Sequence, residues 1–410
     1  MDLIKSLFTG DDAIPGRDTD AANTSSSKQA PAEPKQAPYY VKMFIFAVLW
    51  TIVPFAVVLV GAPAIPLLYV NHSHYRAYMR QVERAMGSLV IITAYLFTPG
   101  SWLVLTGDFD QMRAHKKNVV FANHQVLQMI PLLGQGMQLL EFIFLNQKLE
   151  KDRGVIAENL QTARKDKNLP LWMLIFPEGG LNWKGGVEKS RAYAAKTGIE
   201  NHPDHCILPR STGLFLTLEN LQPNATDAFD LTVGYSGVEP DQIPYDVLPP
   251  NKVFLEDQYP REIHVHIRKF HVPSIPGFQS TDLELPEENR RFMFDLWLQN
   301  VWREKDERLK EFYTYGDLRI KGDEPRQRVP LIPHSEDWMY FVSLLLALDI
   351  VLPIYLGAIY WGLVLAARLG YIAVIGLLSM FGFSRISLFM ALMTFLGMDA
   401  GKEALDVLNG

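Results

Sequence analysis

The sequence predicts an α/β layer domain carried between transmembrane helices at both ends of the chain. Three observations lead there. Residues 43–70 and 86–107 contain no charged side chain. Residues 338–398 contain only three, Asp349, Arg368 and Arg385. Between these stretches, short apolar runs alternate with polar segments of helical pattern, as in layered α/β domains.

About 20 apolar residues suffice for a helix to cross the hydrocarbon core, so each N-terminal run is long enough for one span. The C-terminal run reads as two spans, roughly 339–367 and 371–398, parted by Arg368 and Gly370. Pro54, Pro63 and Pro66 interrupt the first run. Either a kinked span or a re-entrant hairpin fits, because neighbouring helices re-satisfy a kinked backbone inside a membrane. Loop 71–85 carries Arg76, Arg80 and Arg84 against Glu83. That excess favours a cytosolic loop, whereas two full spans starting from a cytosolic N-terminus put it on the opposite side. The orientation stays open. Asp349, an acid inside an apolar segment, is either a functional group or an interfacial one.

The expected organisation is a disordered tail over 1–38, N-terminal membrane helices or a hairpin over 39–107, and the α/β domain over 108–285. A helical extension over 286–337 and C-terminal transmembrane helices over 338–398 follow. The tail is rich in Ser, Pro, Ala and Asp and lacks hydrophobic periodicity. The first apolar run starts too far into the chain for an ordinary cleaved signal peptide. A single cysteine, Cys206, excludes an intrachain disulfide. The net charge of −6 gives no footing for nucleic acid.

In the middle region, 118–122 (NVVFA), 172–176 (WMLIF), 230–235 and 264–270 read as strands. Residues 140–145 form a further apolar run, and 207–208 a short one ending at Pro209. Residues 158–167, 189–197 and 287–312 read as helices, with Gly198 suited to cap the second. Two polar motifs follow strands, where α/β folds place their sites. Asn123-His124-Gln125 offers a histidine as general base. Pro177-Glu178-Gly179-Gly180 offers a carboxylate and backbone N–H groups to a polar head group.

At these residues the chain resembles the glycerolipid acyltransferases of the lysophosphatidic acid acyltransferase superfamily. It looks closest to the branch acting on lysophosphatidylinositol or lysocardiolipin. The resemblance rests on VVFANHQ (119–125), IPLLGQGMQLLEFIFLNQKLEKD (130–152), LIFPEGG (174–180), KSRAYAAKTGI (189–199), ILPRSTGL (207–214) and LTVGYSG (231–237), in that order. HVHIRKF (264–270) and WREKDERLKEFY (302–313) fit the same branch. The resemblance covers about 42–320. It implies an acyltransferase domain with a mixed sheet flanked by helices, in the endoplasmic reticulum membrane. The implied partners are membrane lipids, a lysophospholipid acceptor and acyl-CoA as co-substrate, with no separate cofactor and no metal. Nothing in the sequence sets the oligomeric state.

By resemblance, His124 is the base that deprotonates the acceptor hydroxyl. Glu178 and Gly179 line the acceptor head-group site, Pro209 shapes the wall, and Lys148 or Arg210 contacts phosphate. Three departures stand out. The family's histidine is followed five positions on by an aspartate that orients it, as in a serine triad; here Met129 occupies that position. NHQV runs directly into LQMIPLLG, as after an internal deletion following Val126. Gln147 stands where the family has an arginine, and a neutral amide does not replace a guanidinium. Lastly, Gly180-Leu181-Asn182 follows the Pro-Glu-Gly turn in place of the family's Thr and Asn or Arg. Two function classes therefore stay open: an acyltransferase, and a catalytically inactive membrane protein that binds lipid or a partner. Glu141 and Glu178 are the carboxylates available to stand in for the lost acid. His264 and His266 alternate on a strand without a carboxylate cluster, a weak pattern for zinc. Two glycosylation triplets, starting at Asn71 and Asn224, carry little weight.

Overall fold

The computed structural model describes residues 38–114, 117–123, 171–199, 202–222, 224–319 and 325–380, with Arg153, Gly154, Ile156, Ala157 and Leu160 between them. His124, Met129, Glu141, Gln147 and Lys148 lie outside the described residues. So do the junction after Val126, most of 158–167 and all of the expected span beyond 380.

The first apolar run forms α1 (Tyr39–Gly61), which continues through a short 3-10 turn into α2 (Ile65–Val70). Pro54 is accommodated inside α1. Asn71, the first residue of one glycosylation triplet, caps α3 (His72–Phe97) by accepting the His74 N–H at 3.2 Å. α3 packs beside α1, where the Tyr78 hydroxyl donates to the Val60 carbonyl at 2.7 Å. The second apolar run does not continue as one helix to 107. α3 ends at Phe97, and Trp102–Gly107 forms strand β1 inside the sheet. The sheet therefore begins before residue 108. β1 is apolar because both its faces are covered, and a fully buried strand cannot be told from a helix segment by composition.

The remaining elements are α4 (Phe109–Ala114), β2 (Lys117–Ala122), β3 (Leu171–Ile175), α5 (Lys184–Thr197), α6 (Ser211–Leu221) and β4 (Asp227–Tyr235). They are followed by α7 (Pro244–Val247), α8 (Pro250–Leu255), β5 (Glu262–His271), α9 (Glu287–Tyr315), β6 (Arg326–Pro330) and α10 (Ser335–Met380). Four strands fall where the apolar runs place them. α5 starts five residues earlier than its apolar pattern, and the stretch 207–208 is irregular. β6 lies inside the region expected to be helical.

Among the described residues, six strands form one mixed sheet in the order β3-β2-β4-β5-β1-β6. β3, β2 and β4 run parallel, as do β5 and β1. β4–β5 and β1–β6 are antiparallel. Alternation divides the core into two layers. Val119, Phe121 and Ala228 face α6 and α9, packing with Phe215, Phe294, Leu298 and Trp302. Val120, Ala122, Phe229, Leu231, Val265 and Ile267 face the other way, packing with Leu105, Phe109 and Met112.

The chain divides into two compact units, 1–345 and 346–410. Among the described residues, two helical stretches are long and apolar enough to cross a membrane, Tyr39–Leu67 and Ser335–Gly370. The second runs unbroken through Arg368 and Gly370, where a break was expected. Asp349 is exposed along it.

Candidate active site

The register sets side by side the two strands that the polar motifs follow. β2 and β3 are parallel, with Phe121 opposite Ile175. Their carboxyl ends therefore open at the same edge of the sheet, Asn123 leaving one strand and Phe176-Pro177-Glu178 leaving the other.

Asn123 is buried and prolongs β2 through its side chain. Its Nδ2 donates to the Val233 carbonyl at 3.0 Å, and its Oδ1 accepts the Val233 N–H at 2.8 Å. These bonds imitate one more rung of the β2–β4 ladder after the main chain has turned away. His124 is the next residue.

After β3, the chain turns at 176–179, where the Gly179 N–H donates to the Phe176 carbonyl at 3.1 Å. Gly179 has φ +65°, a conformation that favours glycine. Glu178 is only 3% exposed, and its Oε1 accepts the Trp302 indole N–H at 3.2 Å. The segment 202–210 lies against this turn. The Arg210 N–H donates to the Pro177 carbonyl at 2.7 Å, and Asn182 Nδ2 donates to the His205 carbonyl at 2.7 Å. Ser190 of α5 joins them: its hydroxyl accepts the Leu208 N–H at 3.0 Å and bonds His202 Nε2 at 2.8 Å.

These loops and α5 enclose a cavity of about 280 Å³. Glu178, Gly179, Arg210, Lys189, Trp183 and Tyr193 are among its lining residues. One carboxylate, two cations and two aromatic rings thus share an open, concave space. Trp183 lies over the start of α5. A side chain at Gly186 would strike the Leu181 carbonyl, and one at Gly185 would strike the Trp183 ring. Two glycines at a helix start are unfavourable for helix formation, and here they seat that ring.

Of the expected site residues, Glu178, Gly179 and Arg210 meet in this cavity. Pro209 is buried in the same loop as Arg210. The sequence reading did not single out Trp302, Asp306 or the pairing of Asn123 with Val233. Cys206 is buried, and its burial pushes the thiol well above its usual range, with the Asp306 and Glu178 carboxylates adding to the effect. It stays a neutral thiol, unsuited to nucleophilic work.

The acyltransferase family model matches residues 101–223, from just before β1 to just past α6. An uncharacterized acyltransferase of Schizosaccharomyces pombe is 27% identical over 293 residues, covering 62% of this chain and 79% of that protein. The 2-acyl-1-lysophosphatidylinositol acyltransferase of Saccharomyces cerevisiae is 29% identical over 249 residues, covering 53% of this chain and 58% of that protein. Lysocardiolipin acyltransferase 1 of Gallus gallus is 28% identical over 284 residues, covering 62% of this chain and 68% of that protein.

Residues 101–223 thus match an acyltransferase domain, and the named relatives are glycerolipid acyltransferases. The Glu178 turn and the Arg210 loop lie at one end of the sheet, and α9 supports them from one face. On that face Asp230 and Lys305 are both fully buried, with Lys305 Nζ at 2.6 Å from Asp230 Oδ1 and 2.7 Å from the Leu231 carbonyl. Arg268 reaches the same carboxylate at 2.7 Å. Burial alone would raise the Asp230 carboxyl, but Lys305 and Arg268 outweigh it and hold it below the usual range. The two strand histidines face α9 as well. His266 bonds Thr106 at 2.9 Å, and His264 bonds Glu262 at 3.0 Å beside the Phe312 ring. Both serve the packing of this layer.

Proposed function

We propose that this chain transfers an acyl group from acyl-CoA to a lysophospholipid or lysophosphatidic acid at the endoplasmic reticulum membrane. The strand register carries the reading: Asn123, which directly precedes His124 in sequence, and the Glu178 turn leave neighbouring parallel strands at one end of the sheet. A cavity lined by Glu178, Gly179 and Arg210 lies at the end of the second strand. The names of the yeast and chicken relatives support a lysophospholipid acceptor. The two long apolar helices support a membrane location, where the acceptor's head group is wet and its acyl chain is not.

In this reading His124 takes the proton from the acceptor hydroxyl as its oxygen attacks the thioester carbonyl. The tetrahedral intermediate collapses, the C–S bond breaks, and the CoA thiolate leaves and receives the proton. Arg210 or Lys148 holds the acceptor's phosphate, Glu178 and Gly179 its polar head, and Pro209 shapes the wall. Acyl-CoA is a co-substrate, and no further cofactor is involved.

Met129 favours a second reading. Without the orienting acid His124 keeps its chemistry but loses its aim, and the corresponding loss in a serine protease costs about four orders of magnitude in kcat. A chain with a deletion after Val126 then binds lysolipid or a partner without turning it over. The test uses the full chain in micelles with labelled acyl-CoA and a panel of lysophospholipids. Turnover that vanishes in His124→Ala supports the enzyme. Turnover that survives the substitution removes His124 as the base. Lysolipid binding without turnover supports the second reading.

A further inference from the structure

The two loops that form the cavity are both held by α9, which lies wholly beyond the stretch 101–223 matched by the family model. Trp302 and Asp306 are four residues apart, so they project from one helix face. Trp302 is fully buried. Its ring stacks on Phe121 with centroids 6.2 Å apart and carries the Lys305 ammonium 5.0 Å from its centre. A phenylalanine would keep an aromatic ring there and part of that packing. What tryptophan adds is one N–H, and a buried indole N–H needs an acceptor. The acceptor here is Glu178.

Asp306 acts one turn further along. Its two oxygens accept the backbone N–H groups of Asp204 at 3.0 Å and His205 at 2.6 Å, and Cys206 Sγ lies 3.6 Å away. The His205 carbonyl in turn accepts from Asn182, next to the Glu178 turn. One helix face thus binds the carboxylate of the first loop and the main chain of the second.

We propose that Trp302 and Asp306 are positioning residues of the cavity. Trp302 fixes the orientation of the Glu178 carboxylate, and Asp306 clamps the 204–206 segment that leads to Pro209 and Arg210. The helix after the family's core domain therefore sets the shape of the acceptor pocket. This rests on the reading of the cavity as the lysophospholipid head-group site.

The test compares wild type with Trp302→Phe, Asp306→Asn and Glu178→Gln, all as full chains in micelles. Two quantities are measured: amide hydrogen exchange without ligand, and binding of radiolabelled lysophosphatidylinositol. Trp302→Phe is expected to speed exchange about tenfold within 176–183, leaving β1 and β5 unchanged. Asp306→Asn is expected to do so within 203–210. Tenfold corresponds to losing one hydrogen bond of ordinary strength. Glu178→Gln keeps an acceptor for Trp302 and is expected to leave exchange at the wild-type rate. Both α9 variants are expected to bind the lysolipid about tenfold more weakly. Unchanged exchange in these loops, or an equal rise across the whole domain, overturns the proposal and leaves Trp302 and Asp306 as packing residues. If wild type binds no lysolipid, the reading of the cavity fails, while the exchange result still decides whether α9 positions the loops.

Discussion

Asn123 extends β2 by one rung with its side chain instead of its main chain. Removing it leaves the Val233 N–H buried without its partner, which costs about 1–3 kcal/mol. Asn123→Ala should therefore lower the thermal unfolding midpoint clearly in detergent. Asn123→Asp should do at least as much harm, because a carboxylate cannot donate to the Val233 carbonyl. A wild-type midpoint for both would show that the rung is dispensable. Glu178 and Gly179 were legible as candidates because Pro-Glu-Gly is a local turn pattern after an apolar run, whereas Arg210 was a candidate only through the family resemblance. Trp302 and Asp306 were not, because their role depends on a contact more than a hundred residues away in sequence. The faint signal was a tryptophan, Trp302, within an otherwise charged segment, on the same helix face as Leu298, Leu309 and Lys305.

α9 and the sheet meet through charge as well as apolar surface. Asp230 and Lys305 are both fully buried. Asp230→Asn should be severe, on the order of 3–5 kcal/mol, because it leaves a buried ammonium short of its counter-charge. Replacing both at once, by Asp230→Leu with Lys305→Met, should cost much less than the sum of the single changes, since apolar pairs often substitute for buried ion pairs. Denaturant unfolding of the three variants measures the difference.

The layer also has a pH dependence of defined sign. Burial first, then Arg308 and Arg268, lower His266 to about 3, so it is neutral in the fold at pH 7. In the unfolded chain it titrates near its ordinary value. The unfolded state therefore binds more protons between these two values, and stability falls as pH falls through that window. The contribution is on the order of 1–2 kcal/mol between pH 7 and pH 5. His266→Gln keeps a partner for Thr106 and should flatten that part of the stability–pH curve. An identical slope in wild type and variant would remove His266 as the cause. At this scale, short apolar runs revealed β2 and β3, and β-branched and aromatic residues revealed β4 and β5. β1 was hidden because full burial erases alternation. β6 was hidden because RQRVP is a polar edge strand, half-exposed and without an apolar face.

For the whole molecule, the apolar ends were legible from charge spacing and the α/β middle from its alternating apolar and polar runs, but the seam between them was not. β1 follows α3 with only four residues between. The seam is further tied where Lys42 of α1, only 6% exposed, pairs with Asp257 just after α8. Phe254 of α8 packs against Phe46 of α1 and Phe97 of α3, with centroids 5.1 and 6.1 Å apart. The helices and the sheet layer are thus joined at residues no hydropathy pattern singles out. Extraction with alkaline carbonate should leave the chain in the membrane pellet, and release into the supernatant would count against spanning helices.

The central claim is that the cavity beside Glu178 receives a lysophospholipid head group, and photo-crosslinking addresses it whether or not the chain turns substrate over. A lysophosphatidylinositol carrying a photoreactive group on its head would be irradiated with the full chain in micelles and the adducts mapped by mass spectrometry. Adducts within 178–193 and 205–210, reduced by Arg210→Ala and by excess unlabelled lysolipid, are the expected result. Adducts confined to other segments and insensitive to competitor would contradict it.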